Sequence, residues 1–267
     1  MSTEHELFRA GKLSEAIAAM TDIVKKRPTD LVARGLLCEY LCFAGELERA
    51  DKQLDAAGQL DPKAAIGVNL LRHLIRSEMS RREVYTAGRV PEFTETPTDN
   101  QQRRLHAALC LRNGELEEAA RLIAEACDNE PEYSFEINGN VVHGFRDLDD
   151  LLGPNLEVYT ATGKYYWIGI DQVQSLEFTP PDCLTDHLWR AALIETAGDV
   201  SGRIHIPVLY YGSHAAADPG ARTGRATDWI SSGDGAIVQG LGQREFLAGE
   251  EPMLIMDIKR LAQVNGS

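Results

Sequence analysis

The chain has 267 residues, with 27 Lys+Arg set against 41 Asp+Glu for a formal net charge of −14. That length suffices for one large domain or two ordinary ones with a full core, and a field of that sign repels phosphate backbones, so nucleic acid is not an expected partner. The start, MSTEHELF, is acidic and carries no apolar h-region, and no apolar run approaches the ~20 residues that span a bilayer, so a cytoplasmic chain without membrane insertion is expected.

From the amino terminus, one phrase is written three times: AGKLSEAIAAMTDIVKKRP, AGELERADKQLDAAGQLDP and NGELEEAARLIAEACDNEP. The kept letters are Gly11, Gly45 and Gly114, then Leu13, Leu47 and Leu116, then Ala16, Ala50 and Ala119, then apolar Met20, Leu54 and Ile123, and last Pro28, Pro62 and Pro131. Each has a physical task. The glycine ends one helix in a conformation with φ > 0, the small alanine lets two helices approach, the larger apolar residues form the buried stripe, and the proline stops the second helix. Gly11 to Gly45 is 34 residues, the period of the two-helix tetratricopeptide unit. Gly45 to Gly114 is 69, so a degenerate copy is expected between them, and AAIGVNLLRHLIRSEMSRREVYTAGRVPEF is its text. Four helical hairpins over residues 3–129, stacked as a short right-handed solenoid, are therefore expected.

Near residue 132 the repeats stop and the text turns to Val, Ile, Tyr, Trp and Gly. The expected organisation is an α+β chain of two domains: a tetratricopeptide-like solenoid at 1–132 and, at 133–267, a mainly antiparallel, strongly bent sheet or partial barrel. A linker is expected at about 130–145, and strands near 156–160, 164–170, 173–179, 187–195, 202–210, 226–231, 236–247 and 253–258. The first region holds 18 Lys+Arg and 23 Asp+Glu, the second 9 and 18.

The five cysteines, Cys38, Cys42, Cys110, Cys127 and Cys183, are odd in number. The four in the helical region stand at helix positions beside apolar neighbours, which reads as reduced packing residues, and no Cys/His pair completes a metal site with Cys38 and Cys42. Chemical motifs are mostly wanting. Gly139 to Gly144 has the glycine spacing of a phosphate loop, but Phe145-Arg146 follows where Lys-Ser/Thr is required, which leaves a turn. Gly233 and Gly235 open a G-x-G whose third glycine position is Val238. There is no G-x-S-x-G, Ser213-His214 are mere sequence neighbours, and the seven histidines form no H-x-x-x-H pair. Asp149, Asp150 and Asp186 read as loop and surface carboxylates rather than an acid/base couple. No cofactor, metal or catalytic residue is expected.

Two dense phrases of the second region carry a resemblance: LEVYTATGKYYWIGIDQVQSLEF with DCLTDHLWRAALIE, and IPVLYYGSH with GRATDWISSGDGAIVQGLGQREFLAGEEP. With Trp167, the run Asp186-His187-Leu188-Trp189-Arg190, the run Gly224-Arg225-Ala226-Thr227-Asp228-Trp229, and Gly242-Gln243-Arg244, they resemble the ImpE/SciE (TagJ) family of bacterial type VI secretion, over essentially the whole chain. The resemblance implies a non-enzymatic adaptor that binds the amino-terminal helix of the small sheath subunit and works with the ClpV unfoldase. Two other readings stand beside it, a small-ligand enzyme with a polar pocket at Asp228, Gln243 and Arg244, and a structural oligomerisation module. Trp167, Trp189 and Trp229 also read as packing residues, and Arg225, Asp228 and Arg244 as an internal ion-pair network.

In tetratricopeptide units certain positions of the first helix line the concave wall. Counted back from Gly45 and Gly114, and by 34 residues for the degenerate copy, they hold Glu39 and Phe43, then Asn69, His73 and Arg76, then Arg104 and Arg112. These seven are the expected partner-binding residues, a basic wall with Phe43 as apolar anchor for an acidic amphipathic helix. The secondary candidates are Arg225, Asp228, Trp229, Gln243 and Arg244.

Overall fold

The computed structural model describes residues 3–264 apart from Asn129, Pro131 and Asp199. Seven helices come first: α1 (Thr3–Arg9), α2 (Leu13–Lys26), α3 (Leu31–Phe43), α4 (Leu47–Leu60), α5 (Ala65–Ala87), α6 (Asp99–Asn113) and α7 (Leu116–Asp128). The repeated letters do their expected work. Gly11, Gly45 and Gly114 stand between paired helices at φ of 74°, 71° and 79°, and Ala16, Ala50 and Ala119 are completely buried at the close approaches. Met20, Leu54 and Ile123 are buried too, whereas Leu116 is 42 % exposed although Leu13 and Leu47 are buried. Of the repeat prolines, Pro131 lies outside the described residues.

The degenerate copy departs from the expected hairpin. Met79 stands where the 34-residue step calls for glycine, so nothing breaks the helix and α5 runs on for 23 residues to Gly88, at φ 70°. Pro91 and Pro97 then keep the following chain extended. The helical region is thus three hairpins and one long helix. In the leucine slot of that copy, where Leu13 and Leu47 sit, the chain has Arg81.

Thirteen strands follow among the described residues. β1 (Ser134–Ile137) and β2 (Asn140–His143) lie where a linker was expected, joined by Asn138-Gly139 with φ of 52° and 90°, the two-residue turn that matches strand twist. After β3 (Phe145–Asp147) come β4 (Asn155–Thr160), β5 (Tyr165–Gly169), β6 (Val173–Phe178), β7 (Trp189–Thr196) and β8 (Ser201–Pro207), close to their expected places. The single strand expected at 236–247 is two, β10 (Ile237–Gly242) and β11 (Glu245–Ala248), because Gly242 at φ 88° turns the chain between them. The remaining strands are β9 (Thr227–Ser232), β12 (Glu251–Leu254) and β13 (Arg260–Gln263), and a 3-10 turn at Ile255–Asp257 occupies part of the strand expected at 253–258.

These strands make an antiparallel eight-stranded sheet in the order β2-β1-β13-β6-β7-β8-β4-β5, a ribbon β10-β9 and a small sheet β12-β11-β3. No closed barrel forms. The outer edge of β5, which closure would need, is taken by the extended chain after α5: Glu92 N–H donates to Tyr165 O (2.9 Å) and Trp167 N–H to Glu92 O (3.0 Å). Helices and sheet share one buried apolar cluster, in which Ile17, Phe43 and Leu74 join Leu156, Trp167, Ile206 and Leu261. A smaller cluster joins Ala107, Cys110 and Ile123 of α6 and α7 to Leu151 and Ile237.

Candidate functional site

Where α5 crosses β4, charged side chains are buried together. Glu157 sits in the apolar strand LEVYT with no exposure at all. Arg81 reaches it from α5 with two parallel hydrogen bonds, Nε to Oε1 (2.8 Å) and Nη2 to Oε2 (2.6 Å). Arg244, from the turn between β10 and β11, donates Nη2 to the same carboxylate and Nη1 to Asp147 Oδ2 (2.7 Å). Each guanidinium also meets a backbone carbonyl, Arg81 that of Leu209 (3.1 Å) and Arg244 that of Pro207 (3.1 Å).

A ring of hydroxyl and indole donors closes the arrangement. Tyr210 donates its hydroxyl to Asp147 Oδ1 (2.9 Å). Tyr165 donates to Glu157 and accepts from Trp167 Nε1 (2.6 Å). One layer out, Trp189 Nε1 and the Tyr159 hydroxyl both donate to Glu78, a turn before Arg81 on α5. Burial alone would raise the Glu157 carboxyl, but Arg81 and Arg244 outweigh it and hold the group down at about 2. Asp149 is pushed the other way, up to about 7, by burial and by neighbouring Asp147, against N–H donors from Gly240 and Leu151. Asp149 is therefore a buried group and not the surface carboxylate expected, while Asp186 accepts from the Asp182 and Cys183 amides in its loop.

The phrases that carry the family resemblance converge on this junction. The GKYYW run supplies Tyr165 and Trp167, DHLWR supplies Trp189, and GQR supplies Arg244. Gly242 is required as glycine, since an added Cβ would lie 2.0 Å from Ala226 O, and Gln243 donates to Gly224 O (2.6 Å). Arg190, buried and facing the Phe178 ring at 4.5 Å, donates to the carbonyls of Ile255 and Ile258. Arg225 donates to the Phe8 and Arg9 carbonyls, which ties its loop to the end of α1. Trp229 lies beside the Tyr210 ring at 5.8 Å, and Asp228, exposed, accepts from the Trp229 amide. Arg244 is thus consumed inside the molecule, Gln243 is half-buried, and Asp228 faces solvent.

The expected concave wall is partly covered by the chain's own strand-rich region. Phe43 is 1 % exposed, and Arg104 is fully buried, bonded to Asn100, to the Asp150 carbonyl and to Glu130. Both are therefore closed to a partner in this arrangement. Glu39 is half-buried and accepts from Thr185 Oγ1 (2.7 Å); burial, more than that bond, sets its pKa above the ordinary carboxylate value. His73 is half-buried under the turn at Gly163, while Asn69, Arg76 and Arg112 are exposed. Cys38, Cys42 and Cys110 are buried among apolar neighbours, but Cys127, in the last turn of α7, is exposed.

Sequence reasoning passed over Arg81, Asp147, Glu157, Tyr165 and Tyr210. Two signals pointed to them: an arginine in a leucine slot of the repeat, and a glutamate inside an otherwise apolar strand.

Comparison with known proteins agrees in both regions. Residues 7–74 match the tetratricopeptide repeat, and residues 139–262 match the family described as ImpE protein. The type VI secretion system accessory component TagJ of Pseudomonas aeruginosa is 30 % identical over 256 residues, covering 96 % of this chain and 89 % of that protein. A crystal structure of a Vibrio parahaemolyticus protein superposes with a TM-score of 0.93 at 25 % identity, covering 99 % of this chain and 98 % of the other. The fold of both regions is therefore a known one, and the chain belongs to the ImpE family.

Proposed function

We propose that this chain is an accessory component of a bacterial type VI secretion system that acts in the cytoplasm by binding, not by catalysis. The observation that carries the reading is the likeness to TagJ, which runs through 96 % of the chain and so includes helices, sheet and junction alike. The chemistry of the junction supports a non-catalytic role. Its strongest charges are spent on one another: Arg81, Glu157, Arg244 and Asp147 are all buried and joined by hydrogen bonds, which rigidifies a scaffold. No described helix is long and apolar enough to cross a membrane.

The finer proposal is an adaptor for the amino-terminal helix of the small sheath subunit that assists sheath recycling by the ClpV unfoldase. Of the expected wall residues, exposed Asn69, Arg76 and Arg112 are the ones open to such a partner. Isothermal titration of the purified chain with that helix as a synthetic peptide, and separately with ClpV, tests the proposal. Saturable binding of the peptide is expected; the absence of heat with both ligands at low salt would sink the adaptor reading.

A further inference from the structure

The β9–β10 ribbon stands apart from both sheets: among the described residues each of its strands pairs only with the other. A two-stranded ribbon is marginal by itself, so its remaining contacts decide whether it stays in place. Along the outer edge of β10 the holders are not another strand but two neighbouring carboxylates of the turn after β3. Asp149 Oδ2 accepts from the Gly240 amide (3.0 Å) and Asp150 Oδ2 from the Val238 amide (2.7 Å), while the Asp150 amide donates back to the Val238 carbonyl (2.9 Å). Beneath this latch Gly240 rests against the Tyr210 ring, which an added Cβ would overlap, and Ile237 is fully buried in the cluster of Ala107, Cys110 and Ile123.

The two carboxylates of the latch are not alike. Asp150 is half-buried, whereas Asp149 is buried. The other buried carboxylates of the junction each hold an arginine: Glu157 has Arg81 and Arg244, and Asp147 has Arg244 at 2.7 Å. Asp149 accepts only from the amides of Gly240 and Leu151. Four groups face it: Asp147 from its own turn, Arg244 from the β10–β11 turn, Tyr210 from the chain after β8, and Tyr85 from α5. Of these the one cation, Arg244, is already shared between Asp147 and Glu157. A carboxylate buried beside a second carboxylate, with no cation of its own, ionises at a cost, and burial together with Asp147 pushes this group up to about 7. Lifting the ribbon admits water to Asp149 and removes that cost. By linkage, the open arrangement therefore gains as the carboxyl ionises.

We propose that the β9–β10 ribbon is a flap that opens as a unit of its own, latched by Asp149 while that carboxyl is protonated and loosened when it ionises. Opening bares Tyr210 and Ile237. The inference goes beyond the adaptor reading and does not depend on it. Amide hydrogen exchange of the full chain at pH 6.5 and pH 8, with each rate divided by the intrinsic rate at that pH, tests it. The Val238 and Gly240 amides are expected to be less protected than those of β7 and β8 at both pH values. Their protection is expected to fall about fourfold from pH 6.5 to pH 8, the ratio for a carboxyl at about 7 in the closed flap and 3.8 in the open one. Asp149→Asn should abolish that fall, and Asp150→Asn, which keeps an acceptor for Val238, should leave it. Ribbon amides as protected as those of β7 and β8, or a fall that survives Asp149→Asn, overturns the proposal. If Asp149→Asn does not fold, the wild-type exchange decides alone, and ribbon protection that is equal at the two pH values overturns the proposal.

Discussion

Glu157 has two arginines on one fully buried carboxylate, and such a cluster is held by balance. Removing two charges from water costs several kcal/mol per ion, and the pairing repays this only while every partner is in place. Three protein segments far apart in sequence meet there, Arg81 from a helix, Glu157 from a strand and Arg244 from a turn. Glu157→Gln keeps the shape but leaves Arg81 with only Glu78 (3.5 Å) and Arg244 with only Asp147 (2.7 Å) as counter-charges. Urea denaturation should then show a loss of about 3–5 kcal/mol, the usual result of breaking a buried pair from one side. A loss below about 1 kcal/mol would mean that solvent reaches the cluster and screens it.

At the scale of elements, the repeat glycines serve two purposes that sequence alone joins into one. All three end a helix at positive φ, but their surroundings differ. An added Cβ at Gly45 would meet the His214 ring at 2.7 Å, and one at Gly11 would meet Pro219 at 2.5 Å, whereas nothing lies within 4 Å at Gly114. Two of the three turns are thus seats for the loop that leads from β8 to β9. Gly114→Ala should cost only the left-handed backbone penalty of about 1–2 kcal/mol. Gly45→Ala should cost measurably more, and His214→Ala should return the excess; equal losses in chemical denaturation would show that the loop yields freely. This difference explains which parts of the fold were legible. Helix pairing followed from Gly11, Ala16 and their copies because those constraints are local and periodic. The long α5 was readable in principle from Met79 in the glycine slot. The hairpin at Asn138-Gly139 carries a direct signal within a stretch expected to be a linker. The covering of Phe43 and Arg104 was not legible, since it depends on where the strand-rich region folds back, which for Arg104 is at Asp150, 46 residues further along the chain.

For the molecule as a whole, residues 1–132 and 133–267 differ in secondary structure but share a core and the buried cluster, so groups on either side of the junction set a common stability. Several carboxylates lie above their ordinary values because they are buried: Glu39, Glu130, Asp147 and Asp171, and most of all Asp149, at about 7. A carboxyl whose folded pKa is raised binds its proton more tightly folded than unfolded, so it favours the fold at low pH. That contribution is lost as pH rises from its unfolded value of 3.8 through about 7. Glu157 works the other way, its contribution present above 4.5 and lost only as pH falls through about 2. His205, lowered to about 4 by burial and by Arg203, favours the fold above 6.5 and loses that contribution as pH falls toward 4. Between pH 8 and 6.5 Asp149 acts without opposition from Glu157, while His205 and His214, both lowered by burial, oppose it by up to about 0.4 kcal/mol each. The excess of acidic residues, 41 against 27 basic, adds self-repulsion that does not favour the higher pH. Asp149 should therefore favour the fold by roughly 0.5–1 kcal/mol more at pH 6.5 than at pH 8, read as the difference between wild type and Asp149→Asn in how the urea midpoint changes with pH. Asp149→Asn should remove that share of the pH dependence whatever it does to absolute stability, and a variant whose midpoint changes between the two pH values just as the wild type's does would show that Asp149 is ionised in the folded protein.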